Sequence, residues 1–335
     1  MRSLASVREI SRIESIPNAD NLELAVVDGW RVVVRKGEYK KGDICIYCEI
    51  DSLLPCRPEF EFLRKTSYTQ LPEAIEGFRI RTLKLRGTLS QGLLIQPNSL
   101  PELRRELYLG QDVTQLLGII KYERPIPTNL SGIMKGDFPS FIPKTNEERV
   151  QNLHYLSLLD KTYYATEKLD GTSSTFYIYE GVFGVCSRNI ELTESDNNSF
   201  WSIAKSLDIP SKLKSLGKDI AIQGELIGEG IQGNKYKLKG HQLYFFNAFD
   251  IKEQRRFSFQ ELSTLLKDLS LSLVPLITTN YKLPPHLDSL LEYAEGSSLL
   301  NQKGMNIMRE GLVFKTEDNS ISFKAINNNW LLKYE

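Results

Sequence analysis

Apolar and polar positions alternate with period two through much of the first 120 residues, a pattern that predicts strands rather than helices. Leu22–Val27 and Trp30–Val34 are apolar-rich runs on either side of Asp28-Gly29, a strong hairpin signal. Gly37 and Lys40-Lys41-Gly42-Asp43 punctuate the chain before a further strand, Asp43–Ile50. Gly77–Arg81 alternates apolar and basic residues, and Leu83–Arg86 does so in the opposite phase. Successive side chains on a strand point to opposite faces, so this phase change requires a bulge or kink near Thr82. With it, Arg79, Arg81, Lys84 and Arg86 are expected to share one face, whose functional reading is a grip on nucleic acid and whose simpler reading is a solvated strand surface. Many short strands with few helical stretches predict a small barrel.

Beyond Lys121 the texture changes. Pro125, Pro127, Pro139 and Pro143, with Gly132 and Gly136, interrupt a stretch of weak periodicity. Thr145–Val150 then reads as a helix start, with Thr145 as cap and Glu148 three residues on. A domain boundary is placed near 122, giving residues 1–122 and 123–335. The first fits an OB-type β-barrel in length. The second is α+β, with strands near 162–168, 173–187, 219–227 and 242–250 and helical segments near 199–207 and 258–268.

Composition narrows the function less than the pattern does. The 42 Lys and Arg balance the 42 Asp and Glu, so any nucleic-acid surface must be local. No apolar run approaches the roughly 18 residues of a membrane span, and Met1–Ile10 lacks the apolar stretch of a signal peptide. Cys45 and Cys48 have metal-pair spacing, but three residues apart on a strand they face opposite ways. Structural zinc is therefore not expected, and the four cysteines suit a reducing, cytoplasmic setting.

The candidate chemistry lies in five short motifs in fixed order. Thr166-Glu167-Lys168-Leu169-Asp170-Gly171-Thr172 ends an apolar-polar strand, and Gly171 permits the tight turn that points Lys168 into a pocket. A lysine attacks phosphorus only as the free amine, so such a site must lower its pKa or surround it with cations. Arg188, ending the run Val185–Arg188, offers a planar donor fork for phosphate or ribose. Glu225 sits beside Gly224 on a strand, and Phe249 precedes Asp250 on an aromatic strand, where it can present a face to a purine. Glu310 precedes Gly311 and leads into a strand ending at Lys315, and Lys324 follows nine residues later. Each motif alone fits a bland reading: a surface lysine on a turn, a solvated arginine, a buried aromatic strand. Together, carboxylates that hold a divalent metal and lysines that neutralise phosphates are what phosphoryl transfer requires.

In order and spacing these motifs resemble those of the covalent nucleotidyltransferases, which include ATP-dependent DNA and RNA ligases and mRNA capping enzymes. The N-terminal segments Ala19–Leu24, Val27–Trp30, Lys36–Glu38, Glu49–Ser52, Arg86–Gly92 and Phe138–Thr145 are similar to those of Deinococcus-type RNA ligases, which carry an OB-fold before an ATP-grasp-like ligase domain. The resemblance implies an RNA ligase that uses ATP and Mg2+ or Mn2+ to join 3′-hydroxyl and 5′-phosphate ends at nicks in RNA-containing duplexes. It implies that Lys168 carries AMP, that Glu167 binds the adenine N6 and Phe249 stacks on the base. Arg188 would bind ribose or 5′-phosphate, Glu225 and Glu310 metal or ribose, and Lys324 the α-phosphate. Two departures stand out: Ser173 replaces the arginine usual in DNA ligases, and Ser322 replaces one of two paired lysines, a cation that Lys315 or a metal would restore. The eleven residues after Lys324 leave no room for the C-terminal OB domain of DNA ligases. The chain is expected to act as a monomer without a membrane. A DNA ligase and a non-catalytic nucleic-acid-binding module are the competing readings.

Overall fold

The Asp28-Gly29 hairpin forms as its residues dictate, with Asp28 at φ 50°, a left-handed conformation that a short polar side chain tolerates. It belongs to a computed structural model that describes residues 3–103, 106–123, 128–301 and 305–334. Pro125 and Pro127 lie outside the described residues. The chain divides into two compact units, Met1–Pro125 with Leu331–Glu335, and Ile126–Trp330. The sequence had placed all of the C-terminus in the second.

The first unit is built of short strands: β1 (Ala5–Glu9), β2 (Arg12–Ser15), β3 (Leu22–Val27), β4 (Trp30–Arg35), β5 (Ile44–Cys48), β6 (Ser52–Leu54), β7 (Tyr68–Gln70), β8 (Glu76–Arg79), β9 (Thr82–Leu85), β10 (Thr88–Gln91), β11 (Leu93–Ile95) and β12 (Ile120–Lys121). They pair as β1-β5-β11, β2-β3-β4, β9-β10 and β12-β6-β8-β7. Trp30 and Tyr47, both buried, pack with ring centroids 5.6 Å apart, and Val33 N–H donates to Ser90 Oγ at 3.0 Å between two of these sheets. This is the small OB-type barrel that the alternation predicts. The expected kink is present: β8 ends at Arg79, β9 starts at Thr82, and the two lie in separate sheets.

The second unit is α+β. Its strands are β13 (Met134–Asp137), β14 (Glu148–Arg149), β15 (Tyr163–Lys168), β16 (Thr172–Tyr179), β17 (Val182–Cys186), β18 (Ile190–Leu192), β19 (Ile220–Gly228), β20 (His241–Asp250), β21 (Arg255–Arg256), β22 (Leu276–Tyr281), β23 (Gly311–Lys315) and β24 (Ser322–Ile326). They form a seven-stranded antiparallel sheet, β13-β18-β17-β16-β19-β20-β21, and a five-stranded sheet, β14-β24-β23-β15-β22. The run expected as one strand over 173–187 is a hairpin, turning at Glu180-Gly181.

Each sheet buries one face. Phe176, Ile222, Leu226 and Phe245 of the large sheet pack with Phe200, Leu213 and Leu266 of helices Ser199–Ser206, Ile209–Ser215 and Phe259–Asp268. Asn198 caps the first of these, and Ser258 with Glu261 forms the capping box of the third. Tyr163, Leu312, Phe314 and Phe323 of the small sheet pack with Leu290 and Leu291 of helix Leu287–Ala294. That helix has no side-chain cap.

The helix expected from Thr145 does not form. Glu148–Arg149 instead pairs in parallel with β24, followed by a 3-10 turn at Val150–Asn152. Glu147, outside any helix, accepts from Ser322 Oγ and pairs with Lys315 Nζ at 3.4 Å. Tertiary partners thus outbid a local capping pattern. No helix among the described residues is long and apolar enough to cross a membrane.

Phe176 is fully buried and meets Phe245 edge-to-face at 6.1 Å. Phe176→Ala is expected to destabilise the protein by about 3–5 kcal/mol, read as a lowered midpoint in urea unfolding at unchanged slope.

Candidate active site

The sheet faces turned away from the helices carry Lys168, Lys315, Lys324 and Glu225. Lys168 ends β15 opposite Gly311, Thr166 lies opposite Val313, and Tyr164 opposite Lys315. On β24, Lys324 lies opposite Val313 and Ser322 opposite Lys315. Directly paired residues share a face, so Lys168, Lys324 and Lys315 occupy three successive rows, each about 6.6 Å from the next. The residues between them, Leu312 and Phe314, are in the core. Gly171 is held tightly at the turn after Lys168: a Cβ there would strike Leu226 O, Ile227 and the Glu225 side chain. That closeness brings the large sheet's Glu225 to the lysine.

Four motif residues form one charge cluster. Lys168 Nζ donates to Glu310 Oε2 at 2.7 Å. Burial works against the Lys168 ammonium, but the pull of Glu310, Glu225 and Asp170 outweighs it and raises the pKa. Glu225 is pushed up to about 8, first by burial and then by the Glu310 and Asp170 carboxylates, although Lys168 and Arg188 oppose the shift. Burial likewise raises Glu310, against the pull of Lys168 and, more weakly, Lys324. Lys168, Asp170, Glu225, Glu310, Arg188 and Lys324 are therefore brought into one electrostatic neighbourhood. Arg188 sits exposed in the turn after β17. The Asp170 carboxylate pairs with Lys235, a residue outside all five motifs.

Glu167 points the opposite way from Lys168, into a buried pocket. Its Oε2 accepts from Leu299 N at 2.7 Å, and its buried Oε1 has no hydrogen-bond partner among the described residues. Burial raises its pKa. Lys315 stands apart from the Lys168 cluster: it is buried, pairs with Glu147, and has its pKa lowered by that burial. Because it lies directly opposite Ser322, it supplies a cation in the row where the paired lysine is missing.

Phe249 requires a correction. It is 4% exposed, packed with Ile142, Tyr177, Ala221 and Ile251, and has no face left for a base. The cause is a bulge. β19–β20 pairing runs Gln223↔Asn247 and then Gly224↔Phe245, leaving Phe246 over. Phe245 enters the helix-backed core, while Phe246 stays partly exposed beside Leu169, Ile227, Tyr236, Val274 and Ile307. A period-two reading cannot register an extra residue, so the sequence alone does not single out Phe246.

The four basic residues of the first unit do not form one face. Arg79 is drawn to Asp51 at 3.1 Å and stacks over Tyr122 at 4.0 Å. Arg81 donates to Thr66 O at 3.2 Å. Lys84 is exposed on the separate β9-β10 hairpin, and Arg86 is exposed in its two-residue turn, where Arg86 and Gly87 have φ of 49° and 83°. Only Lys84 and Arg86 of the four lie on this hairpin.

An OB-type barrel, together with two facing sheets that gather a lysine, three carboxylates and further cations, defines a nucleotidyltransferase-like ligase. Family models agree: an OB-fold domain matches residues 4–97 and an RNA ligase model matches residues 161–334. The chain belongs to the RNA ligase family. It is 41% identical to a Naegleria gruberi RNA ligase mutant with AMP and Mn, at a TM-score of 0.93, covering 98% of each chain. Another mutant of that ligase, with ATP and Mn, gives 41% and 0.92 over 98% of each chain. The Naegleria gruberi ligase with PPi gives the same identity and TM-score, over 99% of this chain and 98% of that one. No curated protein matches the chain.

The two phenylalanines separate experimentally. Phe246→Ala is expected to weaken nucleotide binding by about 1–3 kcal/mol, the worth of base stacking on an aromatic ring. Phe249→Ala is expected to lower the unfolding midpoint while leaving nucleotide affinity near wild type. Calorimetric titration and thermal melts check both, and equal losses of affinity would reverse the assignment.

Proposed function

We propose that the protein is an ATP-dependent RNA ligase that seals 3′-hydroxyl to 5′-phosphate ends in nicked, RNA-containing duplexes through AMP carried on Lys168. The observation that carries this reading is the Lys168–Glu310 pair at 2.7 Å inside a buried set of carboxylates and cations. The Naegleria gruberi structures with AMP, ATP, Mn and PPi support it, because those ligands are the substrate, product and metal of lysine adenylation.

Lys168 Nζ, once its ammonium proton has passed to solvent, forms a bond to the α-phosphorus as the bond to the β-phosphate oxygen breaks and pyrophosphate leaves. A terminal 5′-phosphate oxygen then takes the AMP from Lys168, and the 3′-hydroxyl displaces AMP while its proton passes to solvent. Lys324, one row from Lys168, neutralises charge at the α-phosphate, and Arg188 binds ribose or 5′-phosphate at the open end. Glu167 Oε1, buried and without a partner among the described residues, is an acceptor suited to an exocyclic amine, and Phe246 replaces Phe249 as the stacking ring. Lys315 and Glu147 hold the third row.

The residues fit a divalent metal. No group of three or more His, Cys, Asp or Glu among the described residues is arranged as a complete metal site. Glu225 and Glu310 nonetheless lie close enough that Glu310 acts on Glu225 and both act on Lys168. Two carboxylates completed by phosphate oxygens and water are the usual cradle for Mg2+, with Mn2+ as its analogue. A bound cation would supply charge neutralisation at the α-phosphate and loosen the hold of Glu310 on the Lys168 ammonium.

Wild-type protein incubated with labelled ATP and Mg2+ or Mn2+ is expected to acquire an acid-labile adduct that is absent in Lys168→Ala and absent after chelation. Labelling of Lys168→Ala would remove the assignment.

Sealing draws on the first unit in this reading. Lys84→Ala/Arg86→Ala is expected to leave the adduct intact yet weaken binding of a nicked duplex and flatten its salt dependence, with the log–log slope falling by roughly 1–2. An unchanged slope in a filter-binding series would show that the hairpin does not touch phosphate.

A further inference from the structure

The loop between β19 and β20 carries no motif, yet it grips the nucleophile's turn at two points. Lys235 Nζ donates to the Asp170 carboxylate, and the hydroxyl of the next residue, Tyr236, accepts from Asp170 N–H at 2.8 Å. Both partners of the ion pair are nearly enclosed, with side-chain exposures of 9% and 12%. Lys235 Nζ also donates to Gln232 O at 3.0 Å and lies 5.0 Å above the Trp330 ring.

The loop is built to hold these atoms still. Ile231, Tyr236 and Leu238 are buried, at 1%, 2% and 5% exposure. Asn234 bonds Leu238 twice, accepting from its N–H at 3.0 Å and donating to its carbonyl at 2.8 Å. Gln232, Gly233, Asn234 and Lys237 all take positive φ, so the backbone is folded tightly. Such conformations cost free energy in non-glycine residues and persist where surrounding structure enforces them.

An enclosed ion pair is a weak source of stability, because desolvating both charges offsets most of their attraction. Its stronger effect is geometric. Asp170 is two residues from Lys168, and between them Leu169 is buried. Fixing Asp170 by its carboxylate and its amide fixes the turn from which Lys168 reaches Glu310.

We propose that Lys235 and Tyr236 are positioning residues for adenylation, clamping Asp170 so that Lys168 stands in line for attack. The proposal rests on Lys168 as the adenylated residue, which the labelling of wild type against Lys168→Ala tests separately. It places the source of preorganisation in a loop rather than in the motif itself. A displacement of about 1 Å at the reacting atoms costs on the order of a hundredfold in rate.

The test is single-turnover formation of the adduct at saturating ATP. ATP affinity is measured by calorimetry in the Lys168→Met background, where no adduct forms, and each variant is melted. Lys235→Met is expected to slow adduct formation on the order of a hundredfold, with ATP affinity kept within about threefold. Lys235→Arg, which keeps a cation, should recover most of the rate. Asp170→Asn/Lys235→Met should be no slower than the slower single variant, because both remove one interaction. An unchanged rate, a loss of affinity that matches the loss of rate, or additive losses in the double variant would each overturn the clamp. Should Lys235→Met not fold, Tyr236→Phe keeps the ring in its packing and removes only the hydroxyl. A rate lowered by roughly tenfold then supports the clamp, and an unchanged rate overturns it.

Discussion

Lys168 and Glu310 meet because two neighbouring strands place them together. β15 ends at Lys168 just where β23 begins at Gly311, so the residue before Gly311 falls beside the lysine. The remainder of the site follows from this pair. Each sheet of the second unit packs one face against helices, and the opposite faces hold the charged residues together with buried groups such as Phe249 and Tyr164. With those faces brought together at Gly171, Glu225 joins the pair, and three carboxylates share a confined space with a few cations.

Charge balance then sets what the site can do. Burial alone would favour a neutral lysine, but Glu310, Glu225 and Asp170 hold it as an ammonium in the ligand-free protein. Burial first, and then the Glu310 and Asp170 carboxylates, push Glu225 up to about 8. An arriving cation relieves both effects together, so a metal in this cradle would act on the nucleophile as well as on the phosphate. Lys235 pairs with the Asp170 carboxylate, the third acid of the cluster.

The cations are distributed by row rather than by motif. Lys324 and Lys315 follow Lys168 along one sheet face, and the serine that replaces an expected lysine stands directly opposite Lys315. Lys315 is restrained by Glu147, which belongs to a segment running from the edge of the large sheet, at β13, to the edge of the small one, at β14. In the first unit, by contrast, Arg79 and Arg81 are engaged by Asp51, Tyr122 and Thr66, while Lys84 and Arg86 remain exposed on a hairpin.

The amino-acid sequence by itself determined the barrel-then-ligase order, the Asp28-Gly29 hairpin, the kink near Thr82 and the long strands that carry Lys168 and Glu225. These depend on side-chain period and turn residues, which are local. It also singled out Lys168, Asp170, Glu225 and Glu310, because motif order survives folding. Only the tertiary structure decided which aromatic faces the site: one bulged residue moved Phe246 toward Leu169 and left Phe249 under Ile142. Only it replaced the helix start expected over Thr145–Val150 with an irregular segment and the short strand Glu148–Arg149, since Ser322 and Lys315 lie more than 160 residues away along the chain. And only it brought Lys235 to Asp170, 65 residues distant, a contact made by loop geometry that leaves no periodic trace.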